Sequence, residues 1–176
     1  MKYVTLERLR NAMESRYYHE HPNQLCCKKL YTAFKKKFGD KAPIKEFVVW
    51  FVENRKEHGE KVGHLLSTKD GQLTRACIEN GMDPHTDKGG ALLLAAEDGD
   101  GGSVASLEVL LDYKPSLQAM KNALKFMFGF SMGSNPKTEA LLKRHIAEAE
   151  SETEKKRQKR AAPVPEGHII WGGHKF

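Results

Sequence analysis

Apolar residues recur every three or four positions along residues 1–61, which is the spacing of one face of an α-helix. Three such stripes predict three helices. The first follows Thr5, a residue that can cap a helix, and carries Leu6, Leu9, Met13 and Tyr17. The second runs from Asn23, a possible cap, to Gly39 and carries Leu25, Cys26, Leu30, Phe34 and Phe38. The third has Pro43 in its first turn and carries Ile44, Phe47, Val48, Trp50, Phe51 and Val52. The pattern predicts a small helical bundle or cap.

Between residues 62 and 146 the pattern changes to short helical segments separated by turns. The predicted turns lie at Gly71, 80–81, 83–84, 89–90, 99–102, 114–115, Gly129 and 133–136. Sustained alternation of β-branched residues is missing here, so no sheet is predicted. Each short helical pair has an apolar face that only a neighbouring pair can bury, and the fold class predicted is all-α with stacked helical hairpins.

The hairpin span also repeats itself. One unit has an apolar segment ending in Ala95-Ala96 and followed by Gly99, and then a second segment, 107–111, ending in paired leucines. A similar unit lies upstream at 65–84, and a degenerate one lies downstream at 123–143. Asp83-Pro84 and Lys114-Pro115 are 31 residues apart, close to the ankyrin period of about 33. Residues 62–148 therefore resemble a degenerate ankyrin-repeat array.

Two features depart from that family. Gly90-Ala91-Leu92-Leu93 stands where ankyrin repeats have Thr-Pro-Leu-His, and residues 100–106 form an insertion. The resemblance implies a protein-binding stack that uses its turns and first helices. The candidate partner-binding residues are Asp83, His85, Asp87, Lys88, Glu97, Asp98 and Asp100. Their acidic character predicts a protein partner with a basic patch.

Charge divides the chain into the same regions as the hydrophobic pattern. Residues 1–61 hold 14 basic and 8 acidic side chains, residues 62–150 hold 9 and 12, and residues 151–176 hold 6 and 3. We interpret 1–61 as a basic helical region, 62–148 as the stack and 149–176 as a charged tail. The tail ends in an apolar stretch with Trp171 and Phe176, which we expect to fold back onto the protein; insertion into a partner is the alternative.

An alternative function follows from the basic residues, because lysine and arginine clusters neutralise nucleic-acid phosphates. Tyr31 lies one turn from the first of these clusters. The candidate nucleic-acid-binding residues are Lys28, Lys29, Lys35, Lys36, Lys37, Lys155, Lys156, Arg157, Lys159 and Arg160. The alternative without any binding function is that the basic runs at 28–37 and 155–160 are simply the solvated outer faces of helices.

Motifs for catalysis and cofactor binding are weak. His19 and His21 with the adjacent Cys26 and Cys27 do not have zinc spacing, and the loop after Asp98 lacks a calcium ligand at its twelfth position. We expect no enzyme, no cofactor and no metal, because no nucleophile with a neighbouring base can be named.

The chain has no apolar run long enough for a membrane span, no early apolar segment typical of a secretory signal, and too few cysteines for a disulfide framework. We expect a cytoplasmic protein, or a nuclear one in a eukaryotic cell. The function predicted is that of an adaptor or inhibitor that binds another protein. A small, mildly acidic stack also fits an antagonist of phage or pathogen type directed at a host nucleic-acid-handling complex.

Overall fold

The computed structural model describes residues 1–14, 24–54, 62–97, 104–130 and 135–161. Within these ranges the chain is mostly helical and contains one small sheet, which confirms the all-α prediction. The strands are β1 (Tyr3–Thr5) and β2 (Lys41–Pro43). The helices are α1 (Leu6–Glu14), α2 (Gln24–Phe38), α3 (Ile44–Asn54), α4 (Val62–Leu66), α5 (Gly71–Glu79), α6 (Thr86–Glu97), α7 (Val104–Asp112), α8 (Leu117–Phe130) and α9 (Pro136–Ala161).

Two of the predicted helix boundaries in the N-terminal region are confirmed. The Thr5 hydroxyl accepts a hydrogen bond from the Arg8 amide at 3.1 Å, so Thr5 caps α1. Gly39 ends α2 with φ +71°, and its amide donates to the carbonyl of Lys35 at 2.9 Å. The predicted cap at Asn23 and the predicted apolar residue Tyr17 lie outside the described residues.

The third helix differs from its prediction in where it begins and in the width of its apolar face. Pro43 is the last residue of β2 rather than a residue of the first helical turn, and α3 begins at Ile44. Val52 is 39% exposed, so the predicted apolar face is narrower than expected. Ile44, Phe47, Val48 and Phe51 are buried. The aromatic rings of α3 and α2 form a cluster, in which the ring centres of Phe47 and Phe34 are 5.8 Å apart.

The sheet was not predicted. β1 and β2 are antiparallel, with Val4 opposite Ala42, and both of these side chains are fully buried. The amides of Leu6 and Ile44 extend the pairing by donating to the carbonyls of Asp40 and Lys2 at 3.0 Å each. The sheet therefore fixes the start of α1 against the start of α3.

The rest of the described chain forms three helical hairpins, α4–α5, α6–α7 and α8–α9, which we call the stack. The first helices contact one another in order, since α6 packs on both α4 and α8. The second helices do the same, since α7 packs on both α5 and α9. The described residues of this span contain no strand, as predicted. The hairpins are thus two layers of helices, while their membership of the ankyrin family stays a prediction.

Four glycines that were predicted as turns lie inside helices. Gly71 is the first residue of α5, Gly89 and Gly90 lie within α6, where Gly89 has φ +84°, and Gly129 lies within α8. A Cβ atom on Gly71 would be 2.7 Å from the carbonyl oxygen of Ala105 in α7. Gly71 is therefore needed for the close approach of two helices, rather than for a turn.

A buried hydroxyl network joins the first two hairpins. The Thr74 and Ser106 hydroxyls are 2.8 Å apart, and both side chains are fully buried. Ser106 donates its one hydroxyl proton to the Thr68 carbonyl, which leaves the Thr74 hydroxyl to donate to Ser106, and the Leu66 carbonyl lies 3.2 Å from the Thr74 hydroxyl. Ser106 was assigned to an insertion, but residues 104–106 are the first turn of α7. Buried hydroxyls paired in this way fix the register between α5 and α7.

The N-terminal region covers one end of the stack, as expected for a cap. α1 contacts α4, and α3 contacts α5. Arg8 of α1 makes a two-pronged ion pair with Asp70, the residue that caps α5, at 2.5 Å and 2.8 Å. A single hydrophobic core runs from Val4 in β1 to Ile146 in α9.

Candidate binding surfaces

Residues 80–85, which we call the finger, connect α5 to α6 and carry two of the predicted partner-binding side chains. Gly81 turns the chain with φ +103°, and Met82 anchors the finger with a side chain that is 1% exposed. Asp83 and His85 are exposed. The Asp83 carboxylate accepts a hydrogen bond from the His85 amide at 2.8 Å, so the carboxylate is held at the tip of the turn.

The other predicted partner-binding residues are only partly placed. Asp87 and Lys88 belong to the first turn of α6 and Glu97 is its last residue, but their side chains are outside the described part of the structure. Asp98 and Asp100 lie outside the described residues altogether. The structure therefore places Asp83 and His85 together on one turn. The side chains of the other five predicted partner-binding residues lie outside the described part.

Three predicted nucleic-acid-binding residues share a groove between α1 and α2, which we call the basic groove. It encloses about 480 Å³ and is lined by Arg10, Lys28, Tyr31, Thr32, Lys35 and Lys36. Lys29 and Lys37 are exposed on the same helix but do not line it. Residues 28, 32, 35 and 36 fall on one face of α2 because they are spaced by about one or two helical turns.

Arg10 is the member of the groove that sequence reasoning missed. Its guanidinium carbon lies 5.5 Å from the centre of the Tyr31 ring, which is within the range of a cation–π contact. Because Tyr31 is buried, its ring supports the Arg10 guanidinium and does not offer an exposed face on which a base could stack. Arg10 reaches the groove only because α1 packs on α2, and no local pattern signals that packing.

The second predicted basic run lies on a projecting helix. α9 has 26 residues, a length of about 39 Å, and residues 150–160 are exposed on every side. We call residues 150–160 the arm. It contains Lys155, Lys156, Arg157, Lys159 and Arg160, so α9 continues from the stack into the region interpreted as the charged tail. The apolar end of the tail, with Trp171 and Phe176, lies outside the described residues.

A larger groove of about 960 Å³ lies between α1, α5 and the start of α7, beside the Arg8–Asp70 pair. Burial alone would raise the pKa of Asp70, but hydrogen bonds from Arg8 and from the Leu73 amide outweigh it and hold this pKa below its ordinary value. The same bond to Asp70 raises the pKa of Arg8. Both groups are thus fixed as charges, which suits a structural ion pair rather than acid–base chemistry.

Cys77 has the properties of a structural cysteine. It is fully buried in α5, and burial raises the pKa of its thiol to about 12. A thiol with so high a pKa does not form the thiolate that a nucleophile requires. His19 and His21 and the side chains of Cys26 and Cys27, whose spacing does not predict a zinc site, lie outside the described part. Elsewhere in the described ranges, histidines, cysteines and carboxylates do not gather into a metal-binding group.

None of the helices in the described ranges combines the length and apolar character needed to cross a membrane. Comparison of the chain with protein-family models, with curated proteins and with solved structures gives no match.

Proposed function

We propose that this chain is a protein-binding module without chemistry of its own, acting in the cytoplasm as an adaptor or inhibitor through the finger and first helices of an ankyrin-like stack. The observation that supports the proposal is the order of helix contacts, with α4, α6 and α8 in one layer and α5, α7 and α9 in the other. Such an array presents adjacent turns and helix faces as one extended surface, which is how stacked-repeat proteins bind their partners.

The charge of the finger indicates the chemistry of the partner. Asp83 is exposed and held by its own turn, and Asp87 follows it in the first turn of α6. A carboxylate held as that of Asp83 is favours a partner surface that carries lysine or arginine. We therefore propose a basic patch on a folded protein as the target.

Charge reversal on the finger tests the proposal. The protein is used as bait in an extract of its own source cell, and partners are joined to it with a carbodiimide that links carboxylates directly to lysines. A partner should be cross-linked through Asp83 or Asp87. The double variant Asp83→Lys with Asp87→Lys should then reduce affinity for that purified partner by at least about tenfold, because opposite charges become like charges.

The matched control places the same charge change on the outer layer. Glu79 of α5 and Glu108 of α7 are both exposed, and Glu79→Lys with Glu108→Lys should leave the affinity within about twofold, as expected outside a binding site. Equal losses in the two variants, or cross-links only outside the finger and first helices, would contradict the proposed surface.

A further inference from the structure

The basic groove between α1 and α2 is formed by other residues than those used in the proposed function. It gathers four cationic side chains, Arg10, Lys28, Lys35 and Lys36, around a single concavity of about 480 Å³. We propose that this groove binds the phosphodiester backbone of nucleic acid. The inference does not depend on the protein partner of the stack.

The charges in the groove are available to a ligand. Among the described residues, no ion pair engages Lys28, Lys35, Lys36 or Arg10, and the described side chains lining the groove include no acid. Glu7 and Asp40 lie with Arg10 along a neighbouring groove, so they moderate the charge at that end only. Four like charges around one concavity repel each other, and a bound anion relieves that repulsion.

The arrangement suits a chain of phosphates better than a single anion. Lys28 and Lys36 are separated along α2 by eight residues, or about 12 Å, so the lysines meet successive charges along a strand. Arg10 enters from the opposite wall, where the Tyr31 ring holds its guanidinium. A guanidinium held in this way can donate two parallel hydrogen bonds to one phosphate, whereas lysines act as point charges.

The shape of the site argues against an anionic membrane. Membrane-surface helices combine a basic face with exposed apolar residues that enter the lipid. Within the described residues, the exposed large apolar side chains are Met1, Tyr3, Val49 and Val52, and none lines the groove. Thr32 is exposed beside Lys28 and Lys36, and its hydroxyl oxygen can still accept a bond while it donates to the Lys28 carbonyl. The described lining of the groove thus includes no exposed large apolar side chain that could enter lipid.

The experiment measures binding of the full chain to labelled nucleic acid by fluorescence anisotropy across a salt series. The probes are single-stranded DNA and RNA of mixed sequence, about 20 nucleotides long, and the DNA duplex. With four cationic contacts, the logarithm of the association constant should fall against the logarithm of salt with a slope of about −3. Binding should show little dependence on sequence, because backbone contacts carry no base information.

Two double variants on α2 separate the groove from general charge. Lys35→Glu with Lys36→Glu removes two groove lysines, and Lys29→Glu with Lys37→Glu makes the same charge change outside the groove. The groove variant should bind at least about tenfold more weakly and lose about one unit of salt slope per lysine. The control should stay within about threefold of the parent protein. Arg10→Lys keeps the charge and should weaken binding by losing the two-pronged contact.

Thermal unfolding of each variant shows that it is folded, and since the four substituted α2 positions and Arg10 are all exposed we expect unchanged midpoints. If a groove variant does not fold, Arg10→Lys alone supplies the test. Equal loss of affinity in the two double variants would show that binding depends on the overall charge of α2 rather than on the groove. Absence of binding at about 50 mM salt, or equal binding to phosphatidylserine vesicles or to polyglutamate, would overturn the proposal.

Discussion

At the scale of single residues, Arg8 and Asp70 connect two regions that lie far apart in sequence. The pair joins α1 to the start of α5 across 62 positions. Asp70 also accepts the Leu73 amide at 3.0 Å, so the same carboxylate caps a helix and neutralises a partly buried arginine. The ion pair contributes to stability only while Asp70 is ionised, which makes this part of its contribution depend on pH.

The substitution Asp70→Asn tests this contribution. Asparagine caps a helix about as well as aspartate, so the variant removes the ion pair and keeps the cap. The pKa of Asp70 is lowered by folding, so its stabilising effect is complete above the ordinary carboxyl pKa near 4 and is lost as pH falls through the lower folded pKa. At pH 7 the variant should be less stable by about 1 kcal/mol in urea unfolding.

The control for this prediction is an exposed ion pair. Arg75 and Asp112 are 2.6 Å apart, but their side chains are 46% and 55% exposed. Asp112→Asn should change the free energy of unfolding by less than about 0.5 kcal/mol. A stability loss in Asp70→Asn that stayed the same at pH 3 as at pH 7 would show that the effect comes from packing and not from the charge.

Residue patterns also explain which turns were predicted wrongly. Glycine at position 71 and at position 89 carries the same local signal as the glycine at 81, where a positive φ ends a helix. Gly71 instead leaves room for Ala105, a need that arises from the contact between hairpins. Gly89 does adopt a positive φ of +84°, but it does so within α6, where a Cβ would also lie 3.3 Å from that of Ala119 in α8. A single sequence does not distinguish either position from a turn between helices.

At the scale of elements, the sequence predicts best where local signals agree. The stack has helical hairpins where the apolar spacing predicts them, and the predicted turns at 80–81, 83–84 and 114–115 do lie between helices, unlike those at 71, 89–90 and 129. The β1–β2 pairing was missed because each strand has only three residues and its partner is a long-range one. Val52 has the spacing of the apolar face of α3, but its side chain is exposed because the neighbouring elements do not cover that side of the helix.

The two halves of α9 should respond differently to a broken helix. Residues 136–149 pack on α7 and α8 through Leu142 and Ile146, while the arm is exposed throughout. Proline costs about 3 kcal/mol in a helix interior. Arg144→Pro should therefore lower the free energy of unfolding by about that amount, whereas Glu154→Pro should reduce helical circular dichroism and leave the urea midpoint unchanged.

A shifted midpoint in Glu154→Pro would show that the arm contributes to the fold. That result would also bear on the sequence-based expectation that the apolar end of the chain docks onto the protein, since the arm is the link to it. A midpoint unchanged in both variants would contradict the packing of the first half of α9.

At the scale of the whole molecule, the candidate sites were predicted in part. Lysines of α2 were identified from their density in the sequence, but the groove needs Arg10 from α1, and only tertiary packing supplies it. The finger was placed by Gly81 and Asp83-Pro84, which are local signals. Chemistry carried by one segment can therefore be predicted from this sequence, while a site shared between two helices cannot.

The continuous core predicts that the N-terminal region and the stack unfold together. The fluorescence of Trp50 in α3 reports on the N-terminal region, and Leu107, which is fully buried in α7, belongs to the stack. In a Trp171→Phe background, Leu107→Ala should lower the free energy of unfolding by about 2–5 kcal/mol. Trp50 fluorescence and far-ultraviolet circular dichroism should then shift to the same lower urea midpoint, and the exposed neighbour variant Glu108→Ala should shift neither. A Trp50 midpoint that stays in place while the dichroism midpoint falls would mean that two units unfold separately, because α7 packs on α5 and α5 packs on α3, so a defect in α7 should otherwise reach α3.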